Sequence, residues 1–233
     1  MTRKSRNRFS RVTLALLAVL VAGLSSTGFA VQLYEQFPAD IHPAERYVIF
    51  SHGFIAEGED PKPVSPQFGV YDFPALKDAL FAGGGYNLIA VQRKKGLEFE
   101  THAKQLESWV HQLLQAGVKP SRITLVGFSR GALITSFAAG RLASEGINTA
   151  LLAICSDGDV VADSGPPHGL GGNFLSIYET SDQYGSCSKL AARSHLASFK
   201  EVAVSTGKAH GTFFEPRSVW IDPLKKWIAS TNR

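Results

Sequence analysis

Residues 123–132, Ile-Thr-Leu-Val-Gly-Phe-Ser-Arg-Gly-Ala, constrain this chain more than any other stretch. Ile123, Thr124, Leu125 and Val126 are branched or apolar and read as a short strand buried on both faces. Gly127-Phe128-Ser129-Arg130-Gly131 then fits G-x-S-x-G, and residues 132–142 continue as a helix-forming run. In the order strand, tight turn, helix, this motif reads as a nucleophile elbow, a sharp bend that presents a serine hydroxyl at the sheet edge. Side chains at 127 and 131 would crowd the adjoining strand and helix, which is why glycine suits both positions. The helix that follows aims its N-terminal amides at the place where negative charge would develop.

The first thirty residues have a different character. Arg3, Lys4, Arg6, Arg8 and Arg11 carry positive charge with no acid among them, and residues 12–24 are apolar except for Thr13 and Gly23. Gly28 and Ala30 stand three and one residues before a cut after Ala30. Charge, length and small residues together predict a secretory signal peptide over 1–30, leaving 31–233 as one domain in the periplasm or outside the cell. A largely apolar run of thirteen residues is short for a bilayer, so no stable membrane span is expected after processing. Without those five cations, the 24 Lys and Arg of the whole chain fall to 19 against 20 Asp and Glu. The excess of +4 belongs to the leader and offers no support for nucleic-acid binding. Cys155 and Cys187 are the two cysteines, and an even pair in an exported chain suggests a disulfide.

Along the mature part, apolar runs alternate with helical patterns. Strands are expected near 31–37, 46–51, 86–91, 149–154, 174–178 and 199–204 besides the one at 123. Helices are expected at 72–80, capped by Asp72, at 98–116, after the elbow, at 190–196 and at 218–229. Residues 55–71 read as a long surface loop and 160–172 as a Gly/Pro-rich loop. Mostly continuous strand runs predict an α/β fold with a largely parallel central sheet covered by helices on both faces.

In such a sheet, chemistry gathers at the C-terminal strand ends. The residues there are His52-Gly53, Ser129, the aspartates Asp157, Asp159 and Asp182, and His210, in the chain order Ser, Asp, His. A serine hydroxyl needs a base to take its proton, and the base needs an acceptor that fixes its tautomer. His210 lies in a glycine-flanked turn after the last strand and suits the base. His52 belongs to a His-Gly turn that shapes the neighbouring loop. His102 and His111 lie on the amphipathic helix, while His42, His168 and His195 fall in loops or a poorly defined helix. No pair of histidines has metal-ligand spacing with a glutamate, so neither a metal nor another cofactor is expected. Arg93-Lys94-Lys95 also reaches the active edge, where Arg93 could hold an anionic substrate group or simply join a solvated cationic turn.

Phe50-Ser51-His52-Gly53-Phe54, Gly127-Phe128-Ser129-Arg130-Gly131, residues 176–182 and Ala209-His210-Gly211 together resemble an α/β-hydrolase, over essentially all of 31–233. The chain is similar to small, lidless, exported bacterial members, without a large cap domain. The resemblance implies Ser129 as nucleophile, His210 as general base and Asp182 as the carboxylate that orients it, with Asp159 the second choice. It also implies an oxyanion hole from the amides of Phe54 and Arg130. His52 and Arg93 are expected as substrate contacts from their own place at the active edge. In the expected sheet the strands before Cys155 and Asp182 are neighbours, so a Cys155–Cys187 bridge would brace the acid-bearing loop. The activity implied is hydrolysis of a small carboxylic ester or thioester through an acyl-enzyme. Acyl transfer or peptide cleavage by the same residues, and a secreted binding protein on this scaffold, are the rival readings. Neither the natural substrate nor the oligomeric state is legible.

Overall fold

In the computed structural model, which describes Met1, residues 30–155 and residues 169–231, strands and helices alternate. An edge strand β1 (Leu33–Tyr34) and β2 (Tyr47–Ser51) come first. A small hairpin of β3 (Val64–Ser65) and β4 (Gly69–Val70) leads into α1 (Phe73–Phe81). Then follow β5 (Asn87–Ile89), α2 (Phe99–Gln115), β6 (Ile123–Phe128), α3 (Arg130–Arg141) and β7 (Asn148–Leu152). The chain closes with β8 (Gly171–Glu179), α4 (Ser188–Ala192), β9 (His195–Val204) and α5 (Ser218–Thr231). Most of the expected leader, together with Asp157, Asp159 and His168, lies outside the described residues.

Among the described residues seven strands form one sheet in the order β1-β5-β2-β6-β7-β8-β9, and every pairing is parallel. Parallel strands all end at the same edge. The register aligns Ser51 with Gly127, Phe128 with Leu152, Leu152 with Ile177 and Glu179 with Val204.

Alternation of side chains sends successive residues to opposite faces, and both faces are apolar. Val48, Phe50, Val126 and Leu175 face one core, closed by Phe73, Leu76 and Leu80 of α1 and by Trp220, Leu224 and Ile228 of α5. Tyr47, Ile49, Leu125 and Phe174 face the other, closed by Leu106, Val110 and Leu113 of α2 and by Ile134 and Ala138 of α3. Asp72 caps α1 as expected, accepting the Ala75 amide at 3.0 Å. Trp109 is only partly buried at the margin of α2, where it stacks on Phe37 at 5.5 Å.

Two expectations need correction. Residues 55–71 are more than a surface loop: a 3₁₀ turn (Phe54–Ala56) and the β3–β4 hairpin order them, and Tyr71 is fully buried. The cause is aromatic packing, since Tyr71 stacks on Phe128 at 6.0 Å and meets Phe214 edge-on at 5.1 Å. The helix expected over 190–196 ends at Ala192, and His195 and Leu196 start β9 instead. Pairing of His195 with Gly171 and of Leu196 with Gly172 overrides local helix propensity there.

Candidate active site

β6 ends directly in Ser129, whose backbone takes φ 54° and ψ −123°. A non-glycine residue in this region is strained by about 1–3 kcal/mol. The neighbours explain how the bend is held. The Ser129 amide donates to the Leu152 carbonyl at 3.0 Å, and its own carbonyl accepts from Leu133 at 3.0 Å, the first bond of α3. A Cβ on Gly131 would fall 2.0 Å from the Ser51 carbonyl oxygen, and one on Gly127 would fall 2.5 Å from Ala132 Cα. Both glycines are therefore required by backbone approach, and Ser129 stays half-buried at the edge.

Asp182 follows β8, and His210 sits in a 3₁₀ turn (Ala209–Phe213) after β9. His210 Nδ1 lies 2.7 Å from Asp182 Oδ2, with the carboxylate side chain 3% exposed. The imidazole ring packs 4.8 Å from Phe128, the residue before Ser129, and is bordered by Tyr184 at 5.2 Å and Phe68 at 5.9 Å. Ala209, immediately before it, is a further non-glycine residue at positive φ, 46°. A cleft of about 340 Å³ opens beside the pair between Gln67 and Phe68 on one side and Gln183 and Tyr184 on the other.

The loop after β2 lies against the elbow. A Cβ on Gly53 would come 3.0 Å from the Phe128 ring and 3.8 Å from Ser129 Cβ. Phe54 projects into solvent, and its ring lies 5.3 Å from the Arg130 guanidinium. Among the described residues neither the Phe54 nor the Arg130 amide has a backbone acceptor, which leaves both donors available at this corner.

His52 and Arg93, expected as substrate contacts, are buried instead. His52 is fully enclosed, and its Nε2 accepts the Arg93 amide at 2.8 Å, so the ring proton resides on Nδ1 and is donated to the Gly53 carbonyl at 2.8 Å. Burial, reinforced by the Arg93 charge, holds its pKa well below the usual histidine range, so the ring is neutral. The Arg93 guanidinium points inward, donating to the His52 carbonyl and meeting Glu57 Oε1 at 3.4 Å. Burial lowers its pKa to about 10, which leaves it charged at neutral pH. Glu57 Oε1 also accepts from Arg130 Nε at 3.0 Å. Arg93, Glu57 and Arg130 thus tie the loop after β2 to the first turn of α3. Lys94 and Lys95 remain exposed. A second cavity, about 240 Å³, lies between the 91–97 loop and Leu106 and Trp109 of α2, and includes none of Ser129, Asp182 and His210.

No protein-family model matches the chain, and no curated protein is detectably similar to it in sequence. Solved structures are similar in three dimensions. An esterase of the bacterial hormone-sensitive lipase family superposes with a TM-score of 0.57 at 12% identity, over 81% of this chain and 77% of the other. A structure from a study of two fungal esterases from Rhizomucor miehei gives 0.55 at 12% identity, over 81% and 75%. An arylesterase gives 0.55 at 10% identity, over 84% and 79%. Shared topology across so large a part of each chain decides the fold. It is the α/β-hydrolase fold. On this fold, Ser129, Asp182, His210 and the Gly53-Phe54 corner follow four different parallel strands at one edge of the sheet.

Two participants carried no sequence signal. Glu57 sits in an acidic stretch that reads as solvated, yet it is 8% exposed and binds two arginines. Glu179 belongs to a motif whose aspartate drew the attention, yet it is fully buried with four donors around it.

Proposed function

We propose that this chain is an exported serine hydrolase that cleaves a small carboxylic ester or thioester. One observation carries the reading: a histidine fixed through Nδ1 by a buried carboxylate packs against Phe128, the residue that precedes a serine held at positive φ on a strand-to-helix bend. Asp182 accepts a hydrogen bond from Nδ1–H, which keeps the proton on Nδ1 and leaves Nε2 as the basic nitrogen. Nε2 removes the Ser129 proton as Oγ attacks the acyl carbon, and the charge that forms on the carbonyl oxygen is met by the Phe54 and Arg130 amides. The imidazolium then protonates the departing alcohol or thiol, giving the acyl-serine. Water attacks that ester by the same route, releasing the acid and restoring Ser129. The three similar structures cited above, all described as esterases, support ester chemistry.

Export is part of the same proposal. The basic, apolar and small-residue start fits a cleaved leader, and the disulfide between Cys155 and Cys187 suits an oxidising compartment.

The deciding experiment is fluorophosphonate labelling of the mature protein, alongside nitrophenyl esters of increasing chain length. Wild type should form one covalent adduct and Ser129→Ala none, with kcat falling by several orders of magnitude, roughly 10⁶. A folded wild-type protein that neither labels nor turns over any ester would leave the secreted binding protein as the better reading.

A further inference from the structure

After a register shift between Gly172 and Asn173, β8 and β9 stay in register to their last pair, Glu179 with Val204, and then separate. One segment leads to Asp182 and the other to His210. Where a ladder ends, the next amides need other acceptors. The Thr180 amide still reaches the Val204 carbonyl at 2.9 Å. Beyond it, donors from both segments converge on one side chain.

Glu179 is fully buried. Its Oε2 accepts from the Ser181 amide at 2.7 Å and from Ser181 Oγ at 2.5 Å. Its Oε1 accepts from the amides of Thr206 at 2.8 Å and Gly207 at 3.1 Å. Four donors on two oxygens fill the capacity of a carboxylate. The Glu179 backbone carbonyl also accepts from the Asp182 amide at 3.0 Å. On the other side, Thr206 Oγ1 accepts from the Lys208 amide at 3.2 Å and shares a hydrogen bond with Thr212 Oγ1 at 2.5 Å. Lys208 and Thr212 bracket His210, and the 2.7 Å contact between His210 and Asp182 closes the ring.

We propose that Glu179 is a positioning residue, whose carboxylate fixes the separation of the two loops so that Asp182 Oδ2 meets His210 Nδ1. Burial alone would raise its pKa, but the hydrogen bonds from Ser181, Thr206 and Gly207 outweigh that and lower it. The group is therefore ionised at neutral pH and offers acceptors only. A glutamine has one acceptor and one donor atom in the same space, so one loop must lose its anchor to an opposed N–H. The consequence for turnover rests on the hydrolase reading above, whereas the consequence for the Asp182–His210 pair does not.

Glu179→Gln, Glu179→Asp and Thr206→Val test this, read by nitrophenyl ester kinetics and by the downfield proton resonance of His210 Nδ1. In Glu179→Gln, kcat should fall about 10²-fold, the cost of roughly an ångström of misplacement, with KM within about twofold. The Nδ1 resonance should broaden or move upfield. Glu179→Asp keeps the charge but is one methylene short of spanning both loops, so it should not restore either signal. Full recovery in Glu179→Asp would mean that charge alone matters and would overturn the proposal. So would a Glu179→Gln protein that melts earlier but keeps kcat and the Nδ1 resonance unchanged. If Glu179→Gln fails to fold, Thr206→Val decides: kcat several-fold lower with a weakened resonance is expected, and no change in either sinks the idea. Were wild type unlabelled at Ser129 while its Nδ1 resonance still answered to position 179, the hydrolase reading would fail and the clamp would stand. A labelled wild type whose pair ignores position 179 gives the reverse.

Discussion

Asp182 offers His210 a buried acceptor, and an amide in its place would present either a donor or a weaker acceptor to Nδ1. The wrong tautomer would then put the proton on Nε2. Asp182→Asn should leave the fold intact and lower kcat by up to about 10⁴. Ester kinetics on folded protein check this, and full activity there with loss in Asp159→Asn would move the role to Asp159. His52 predicts a different measurement. Its pKa is depressed in the folded chain, so below about pH 6.5 the unfolded chain takes up a proton that the folded one refuses. Stability should therefore be complete above that pH and fall as pH drops, by up to about 1.4 kcal/mol per unit for each such group. His102, lowered by burial and by Arg93, acts in the same direction. Melting curves from pH 8 to 5.5 should show the slope, and His52→Gln should reduce it; a flat wild-type profile would mean that His52 is charged in the fold. At this scale the bend at Ser129 and the strand-end placement of His210 were legible in motif and chain order, whereas chain order alone left Asp157, Asp159 and Asp182 open and only the family resemblance favoured Asp182. Glu57 and Glu179 were not legible, since what a carboxylate accepts depends on how distant loops meet. The inward turn of Arg93 was hidden for the same reason: beside two exposed lysines, nothing local distinguishes it.

Elements built on continuous apolar runs were legible in type and close in extent, because a strand buried on both faces has few other readings. The boundary between α4 and β9 was not, because the pairing partner of His195 is Gly171, twenty-four residues earlier. The hairpin over the site escaped too, its order coming from Tyr71 and Phe68 packing on distant aromatics. The bridge between Cys155 and Cys187 belongs to this level. Cys155 lies just beyond β7, and its carbonyl accepts from the Gly185 amide, while Cys187 immediately precedes α4 and donates its amide to Glu201 Oε2 at 2.8 Å. The segment carrying Asp182 is thereby tied to β7 as well as to β9. Closing a loop with a sequence separation of 32 should stabilise the fold by about 3–4 kcal/mol in the chain-entropy model. Reduction, or Cys155→Ser with Cys187→Ser, should lower the melting temperature. Activity well below that temperature should persist, since glutamates anchor both ends of the same segment. Two titratable thiols in unreduced protein from the periplasm would refute the bridge.

At the scale of the whole molecule, the order of the sheet decides which ends of the chain matter. β6 and its elbow are central, flanked by β2 and β7, whereas β1 is an outermost strand. That strand is only two residues long, yet it is well tied: Leu33 pairs with Leu88 and Tyr34 with Ile89. The Gln32 amide donates to Asn87 Oδ1 at 2.9 Å, and the Leu88 amide donates to the Gln32 carbonyl at 2.9 Å. Phe37, a little further on, covers Trp109. A cut after Ala30 would leave all of these in place, whereas a start at Ala39 would remove the strand, the Gln32 bonds and the Phe37 stack together. Leu88 and Ile89 are fully buried, and uncovering one side of β5 exposes them. A chain beginning at Val31 should thus melt within a degree or two of processed protein from the exported form. One beginning at Ala39 should lose on the order of 2–4 kcal/mol, the range for removing large apolar groups from a core. Urea titration of both chains, beside N-terminal sequencing of the exported protein, separates the possibilities. A processed N-terminus beyond Tyr34, or an Ala39 chain as stable as the Val31 chain, would show that β1 contributes nothing to the mature fold.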